Sequence, residues 1–268
     1  MTSPASLRRP RALLLDFGGV IVETAKVPGW ENTLAGRVAA VLAEAGAPSL
    51  RPERIAADIA AGALADKHWK NAMSRLFAPR ELGQEEFWSD FVAADWPVAA
   101  RAAVTRRARE LCEAMGHLRS KRTLRRGLIR LLDACDRKKV PIGIVSNALA
   151  GQVHLDFLEE HGLRRRFAVE IHSDAVRIRK PNPEMIWLAT RALGIEPNEV
   201  WYVGDNFDRD VLCGRRAGVG GIILMEASST YDKPYALADI APDAVVDDPA
   251  GLLSLFETAC AGAAHDAA

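Results

Sequence analysis

The feature that most constrains this chain is a set of short runs rich in apolar and β-branched residues, at 12–17, 142–145, 168–171, 200–203, 221–224 and 244–246. Each run is nearly continuous in apolar character rather than alternating. After the first, each is separated from the next by a helix-length segment or a loop. A strand reads as an unbroken apolar run when both of its faces are covered, so the pattern predicts a parallel sheet with helices on both sides. The expected fold class is α/β, a Rossmann-like doubly wound parallel sheet.

One interval is too long for an ordinary crossover. Within residues 18–141, the segments 33–45, 53–73, 84–94 and 98–115 carry helical spacing, and Pro28, Pro48, Pro52, Pro79 and Pro97 punctuate them. No strand-like alternation appears between them. The expected organisation is an inserted all-helical domain over residues 23–117 and a discontinuous sheet domain over 1–22 and 118–268, with 1–10 and 260–268 frayed. Further on, Asn182 as an N-cap, Pro183 at the first helical position and Gly194 as a stop place Lys180 in the loop just before a helix.

Open parallel sheets bind ligands beyond the carboxyl ends of their strands. Polar groups stand there: Asp16 closes LLLDF, Ser146 and Asn147 close IGIVSN, Lys180 lies in RIRKPNP after the third strand, and Asp205 closes VWYVGD. An aspartate can attack phosphorus, but two anions repel, so such a site needs positive charge on both partners. Lys180 supplies one charge. A hard cation held by Asp16 and Asp205 supplies another, since Mg²⁺ takes one or two carboxylates together with phosphate and water. Ser146 can donate to a phosphoryl oxygen, and the amides of Gly18 and Gly19 can approach closely because glycine has no side chain.

Four motifs in order, DFGGV (16–20), VSN (145–147), RKPNPE (179–184) and GDNFDRD (204–210), resemble the haloacid dehalogenase-like (HAD) superfamily. CGRRAGV (213–219) and PDAVVDDPAGLL (242–253) extend the resemblance, which spans about residues 11–255 and puts the helical insertion where the family carries its cap. The resemblance implies Asp16 as the nucleophile that forms an aspartyl-phosphate. It implies Ser146 as a phosphoryl donor and Lys180 as the partner of Asp16 and the phosphoryl group, with Asn147 and Gly19 also on the phosphate side. Mg²⁺ would be held by Asp16, the Gly18 carbonyl and Asp205, with Asp210 ligating directly or through water; Asn206 is a subordinate candidate. The implied activity is Mg²⁺-dependent hydrolysis of a small phosphorylated metabolite.

Gly18 departs from the pattern. Most phosphatases of the family carry there a second aspartate that protonates the leaving group and then activates water. General acid/base catalysis contributes about 10²–10⁴-fold, so a slow enzyme, a good leaving group or a substitute acid is implied. Two alternatives follow: a weakly active or inert HAD-fold binding protein, or a phosphonate or haloacid hydrolase, the former requiring an imine lysine such as Lys67 or Lys70. The retained GDNFDRD carboxylates favour phosphoryl transfer.

Other residues read as structure. Asp208 is expected to be an N-cap or surface carboxylate, Lys67 and Lys70 a solvated helical face around Trp69, and His154, His161 and His172 structural or surface groups without metal-ligand spacing. Lys plus Arg and Asp plus Glu both total 35, so no net field favours nucleic acid or an anionic membrane. Four cysteines without a C-x-x-C pair suit a reducing cytoplasm, and no apolar stretch is long enough to span a bilayer. An N-terminal twin-arginine resemblance is interrupted by Asp16. Nothing in the sequence assigns an oligomeric state. The neutrality conceals segregation: residues 101–139 hold 13 basic and 4 acidic residues, against 4 and 11 from 201 onward. The basic stretch reads as a solvated face whose members near 119–126 can steer anionic substrates.

Overall fold

A computed structural model describes residues 7–232, 235 and 240–265 of the chain. Its strands are β1 (Ala12–Leu15), β2 (Val22–Lys26), β3 (Ser120–Leu124), β4 (Ile142–Ser146), β5 (Val169–His172), β6 (Val200–Gly204), β7 (Gly221–Met225) and β8 (Ala244–Val246). Six form one sheet in the order β5-β4-β1-β6-β7-β8, and every pair in it is parallel. These are the six apolar runs. Alternate residues of each central strand serve opposite layers, which is why the runs are continuous. Leu13, Leu15, Trp201 and Val203 join a core with residues of helices Leu128–Lys138 and Pro249–His265. Ala12, Leu14, Val200 and Tyr202 join another with residues of helices Glu184–Leu193 and Leu212–Ala217.

From β1 the chain steps outward to β4 and β5, then returns to the other side of β1 for β6 and steps outward again. The switch point therefore lies between β1 and β6, with Asp16 and Asp205 directly beyond their ends. The N-terminal residues described are anchored: the Trp201 indole donates to the Arg8 carbonyl (3.1 Å). The last helix runs to His265 with Cys260 buried in the core, so order continues past the point where the sequence suggested fraying. Residues 1–6 and 266–268 lie outside the described residues.

The insertion is built on helices Trp30–Glu44, Pro52–Met73, Val98–Arg106 and Ala108–Arg119, with a wide π turn at Phe87–Val92. Phe87 and Trp88 from that turn fill its own core with Leu34, Ile59 and Leu111, and Leu149 and Val153 from the sheet side complete it. One element escaped the sequence reading. β2 and β3 pair antiparallel, Val22 opposite Leu124 and Lys26 opposite Ser120, forming a ribbon through which the chain enters and leaves the insertion. Only Val22 of β2 is buried, so no apolar run announced it.

The insertion is also strapped to the sheet side beside Lys180. Glu81 N–H donates to the Arg177 carbonyl (3.0 Å) and Arg179 N–H to that of Pro79 (3.3 Å). The Arg179 guanidinium meets Glu81 at 2.8 Å, the two side chains being 1% and 0% exposed. Ser173 donates to the second oxygen of Glu81 at 2.5 Å. Burial lowers the pKa of Arg179, and the Glu81 charge opposes that shift. Removing one partner of such a pair strands the other charge in the interior. Glu81→Gln is therefore expected to lower unfolding stability by about 3–5 kcal/mol, measured by urea denaturation; a loss below about 1 kcal/mol would mean that the strap is not structural.

Candidate active site

Asp16 directly follows β1, and its amide donates to the Val203 carbonyl (2.8 Å) and so fixes the strand end against β6. The Phe17 amide donates to Asp16 Oδ1 (2.7 Å) and orients the carboxylate. Lys180, 1% exposed, brings Nζ to 2.9 Å from Asp16 Oδ1 and 2.6 Å from Asp210 Oδ1, and donates to the Tyr202 hydroxyl at 2.8 Å. Tyr202 in turn donates to Asp210 Oδ1 (2.8 Å). Its burial and the Asp210 and Asp16 charges raise its pKa well above the ordinary value, so it stays a donor.

Beyond β6 the chain opens into a second π turn, Phe207–Val211. The amides of Asp210 and Val211 both donate to the Asn206 carbonyl, at 2.9 and 3.1 Å. This wider turn buries both Asp208 and Asp210. Two glycines permit the approach. Gly19 has φ 74°, and a Cβ there would lie 2.4 Å from Asp205 Oδ2; a Cβ on Gly204 would lie 2.2 Å from Asp210 Cβ. Among the described residues no donor reaches the Asp205 carboxylate.

Ligand oxygens of Asp16, Asp205 and Asp210 lie within 4.8 Å of one another. Burial raises the pKa of Asp16 despite the opposing pull of Lys180, and the Asp210 charge adds to the rise. Burial also disfavours the Lys180 ammonium, yet Asp16 and Asp210 outweigh it and hold the pKa above its usual value. Asp205 is pushed up to about 7 by burial and by its two acidic neighbours. One ammonium among three carboxylates leaves an uncompensated negative charge, and the donors are all hard oxygens. The buried Asn206 Oδ1 also has no partner. This donor set fits a hard divalent cation.

Asp16, Ser146, Lys180, Asp205 and Asp210 all face one cavity of about 860 Å³. Ser146 is buried, and its hydroxyl takes no partner among the described residues. Other expectations need correction. The Gly19 amide donates to the Val22 carbonyl (2.8 Å), so it is not free for phosphate; the glycine instead makes room for Asp205. Asn147 spends its side chain on Lys180, accepting from its amide (2.8 Å) and donating to its carbonyl (3.1 Å). It therefore positions Lys180.

Asp208 is neither cap nor surface: buried at 2% exposure, it accepts from Ser74 of the insertion at 2.6 Å. Lys67 is exposed, but Lys70 turns inward onto Asp66 (2.6 Å) and does not face the catalytic cavity. His154 stacks on Phe17 with ring centroids 3.9 Å apart and stands in the cavity wall. Burial, then His172 and nearby cations, lowers its pKa well below the ordinary value, so it is a neutral ring rather than a ready acid. His172 is buried beside it and His161 is exposed.

Sequence reasoning missed Arg125. Its buried guanidinium donates to the Gly19 carbonyl (2.5 Å), the Glu226 carbonyl (2.8 Å) and the Asp247 carbonyl (2.6 Å), clamping the loop after β1 to the ends of β7 and β8. Its only sequence signal was its place in the basic run.

A family model for haloacid dehalogenase-like hydrolases matches residues 10–218, which hold all four strand-end motifs. The chain belongs to this family. It is 28% identical to the N-acetylmuramic acid 6-phosphate phosphatase of Pseudomonas putida over 95% of this chain and 99% of that protein. It is 32% identical to the pyrophosphatase PpaX of Oceanobacillus iheyensis over 46% of this chain and 56% of the relative. The chain spans about half the length of the first curated relatives it matches. A solved 2-haloacid dehalogenase from Pseudomonas syringae superposes with TM-score 0.58 at 18% identity, covering 92% of this chain and 98% of that one. This haloacid dehalogenase-like fold therefore does not by itself choose between carbon–halogen and phosphoryl chemistry. Among the described residues, no helix is long and apolar enough to cross a membrane.

The raised Asp205 gives a test with a definite sign. Its pKa is about 7 in the folded, cation-free protein and 3.8 ordinarily. The folded state thus holds a proton that the unfolded chain releases, and stability falls as pH rises from about 4 through about 7. A cation bound there would replace that proton. The rise in Tm on adding Mg²⁺ is expected to be larger near about pH 8 than near about pH 5, measured by thermal unfolding at constant ionic strength; equal shifts would argue against a carboxylate-held cation.

Proposed function

We propose that the protein is a Mg²⁺-dependent phosphatase of a small phosphorylated metabolite, acting through an aspartyl-phosphate on Asp16. The observation that carries this reading is Asp16 held 2.9 Å from the Lys180 ammonium in a cluster with two further carboxylates. Asp16 Oδ attacks phosphorus, the ester P–O bond breaks, and the leaving oxygen takes a proton from solvent. Water then attacks phosphorus and gives up a proton to solvent, the P–O bond to Asp16 breaks, and phosphate leaves with the carboxylate restored. Lys180 neutralises nucleophile and phosphoryl oxygens, and Ser146 donates to one of those oxygens. Asp16, Asp205 and the Gly18 carbonyl would hold the cation. Both oxygens of Asp210 already accept protein hydrogen bonds, which favours its acting through bound water. Bound there, Mg²⁺ would offset negative charge on the phosphoryl group.

The acid/base role has no side chain at Gly18. A Cβ built there meets no heavy atom within 4 Å. The enzyme accordingly suits esters whose leaving group departs with little proton assistance. Lys70, paired with Asp66 and away from the catalytic cavity, supports the phosphatase over an imine mechanism. We take residues 1–22 and 118–268 as the catalytic core and 23–117 as a cap that closes over the leaving group. The buried, unpaired cysteines suit a cytoplasmic protein.

Asp16→Asn is expected to reduce Mg²⁺-dependent phosphate release to background across a panel of phosphorylated metabolites; unchanged turnover would overturn the assignment. Gly18→Asp is expected to raise kcat on alkyl phosphates by about 10²–10⁴-fold and to change turnover of p-nitrophenyl phosphate far less, since p-nitrophenolate leaves without a proton. An equal effect on both would show that proton transfer is not what limits the wild type.

A further inference from the structure

The wall of the catalytic cavity nearest the ribbon is built from the basic stretch that the four motifs leave unexplained. β3 alternates, with Ser120, Arg122 and Leu124 half-buried and Lys121 and Thr123 exposed. That two-residue period turns Arg122 inward opposite Thr24 of β2. Arg119, the last residue of helix Ala108–Arg119, lies on the same wall. Both arginines face the catalytic cavity and also a smaller adjoining recess of about 60 Å³ that reaches Lys70 and His154.

Neither arginine is matched to an anion. Among the described residues, Arg122 donates only to the carbonyls of Gly116 (3.0 Å) and Ser120 (3.4 Å). No carboxylate among the described residues pairs with either guanidinium, and Arg119 makes no side-chain hydrogen bond among them. Burial first, then the neighbouring Arg119, pushes Arg122 down to about 10, so Arg122 remains charged near neutrality. Two like charges set together, half out of water and without a counter-charge, cost free energy that an anion between them would recover. Lys180 and Arg125 on the same cavity are committed to protein partners. The guanidinium fork matches carboxylate and phosphate oxygens in a bidentate way.

We propose that Arg119 and Arg122 form a subsite for a second anionic group of the substrate, a carboxylate or a second phosphate, so that the enzyme acts on phosphate monoesters that carry another acid group. This rests on the phosphatase reading and adds the substrate class to it. The scissile phosphate sits over Asp16, and the second anion sits against the ribbon wall and the recess behind it.

The test uses matched pairs: 3-phosphoglycerate against glycerol 3-phosphate for a carboxylate, and fructose 1,6-bisphosphate against fructose 6-phosphate for a second phosphate. The readout is the ratio of kcat/KM within each pair, for wild type, Arg119→Gln and Arg122→Gln. Charge-assisted hydrogen bonds contribute about 1.5–3 kcal/mol, or about 10–150-fold. The wild type is expected to favour the acidic member of at least one pair by that order. Both variants are expected to bring the ratio towards unity, through KM more than kcat, and the pair that responds identifies the anion. Arg119 makes no side-chain hydrogen bond among the described residues, so its variant keeps the test open if Arg122→Gln misfolds. A wild-type ratio near unity in both pairs, or variants that lower both members alike, would overturn the subsite. Failure of the phosphatase reading shows separately, as absence of turnover on every ester including p-nitrophenyl phosphate. In that event calorimetric binding of the same pairs decides: stronger binding of the acidic member, lost in Arg119→Gln, supports the subsite, and equal binding overturns it.

Discussion

A single buried ammonium, that of Lys180, holds together a site that would otherwise repel itself. Two unit charges about 4 Å apart interact by about 4 kcal/mol at an effective dielectric near 20. Lys180 offsets Asp16 and Asp210 in this way, while Asp205 is left buried beside two like charges, and burial first, then their repulsion, pushes its pKa up to about 7. The geometry around Lys180 is correspondingly redundant. Asn147 holds both the N–H and the carbonyl of Lys180, Tyr202 accepts from its Nζ, and the Arg179–Glu81 pair fixes the residue before it to the insertion. The ends of β4 and β6 and the loop of the insertion thus meet at Lys180 and the residue before it. Any displacement of that loop acts on the charge balance of the site as well as on access to it.

The same coupling appears on the opposite side of Asp16. Arg125 clamps the Gly19 carbonyl to the ends of β7 and β8, and the left-handed turn at Gly19 lets Asp205 come within the space a side chain would fill. Gly19 is required by geometry here rather than by hydrogen bonding. The loop after β1 is therefore held from below by β6, from one side by Asp205 and from the other by Arg125. A backbone fixed at so many points keeps the Asp16 carboxylate in one orientation before substrate arrives, which is the kind of preorganisation phosphoryl transfer depends on.

What the sequence made legible follows from which forces act locally. The six sheet strands announce themselves because both faces are buried, and the Gly194 stop of the helix after Lys180 is legible because it is local chemistry, whereas the helix begins at Glu184 with Pro183 as its N-cap, one residue later than the sequence suggested. The four strand-end residues converge because the order of a parallel sheet puts them on one edge. The ribbon was hidden because β2 exposes every residue after Val22. Asp208 was misread because its partner, Ser74, lies 134 residues away. His154 and Arg125 were equally silent, since ring stacking on Phe17 and a carbonyl clamp leave no periodic mark in the chain. Asn147 was assigned to phosphate because its position suggested it, whereas three-dimensional packing gives it the nearer task of holding Lys180.

The even balance of 35 basic and 35 acidic residues is resolved inside the cavity itself, with a floor of carboxylates and a wall of arginines. This polarity bears on the missing acid at Gly18. A general acid is worth about 3–5 kcal/mol, and no residue of the wall replaces it, since His154 is held neutral by burial and by the cations around it. Contacts to a remote anion are worth about 1.5–3 kcal/mol each, and they accelerate the reaction only if they tighten as the transition state forms. An arginine wall can therefore offset part of the loss by fixing the substrate over Asp16, but it cannot deliver a proton. Under the proposed function, an enzyme with these constraints would be selective in binding and undemanding in chemistry: it would recognise an acid at the far end of the substrate and rely on the leaving group to depart largely unassisted.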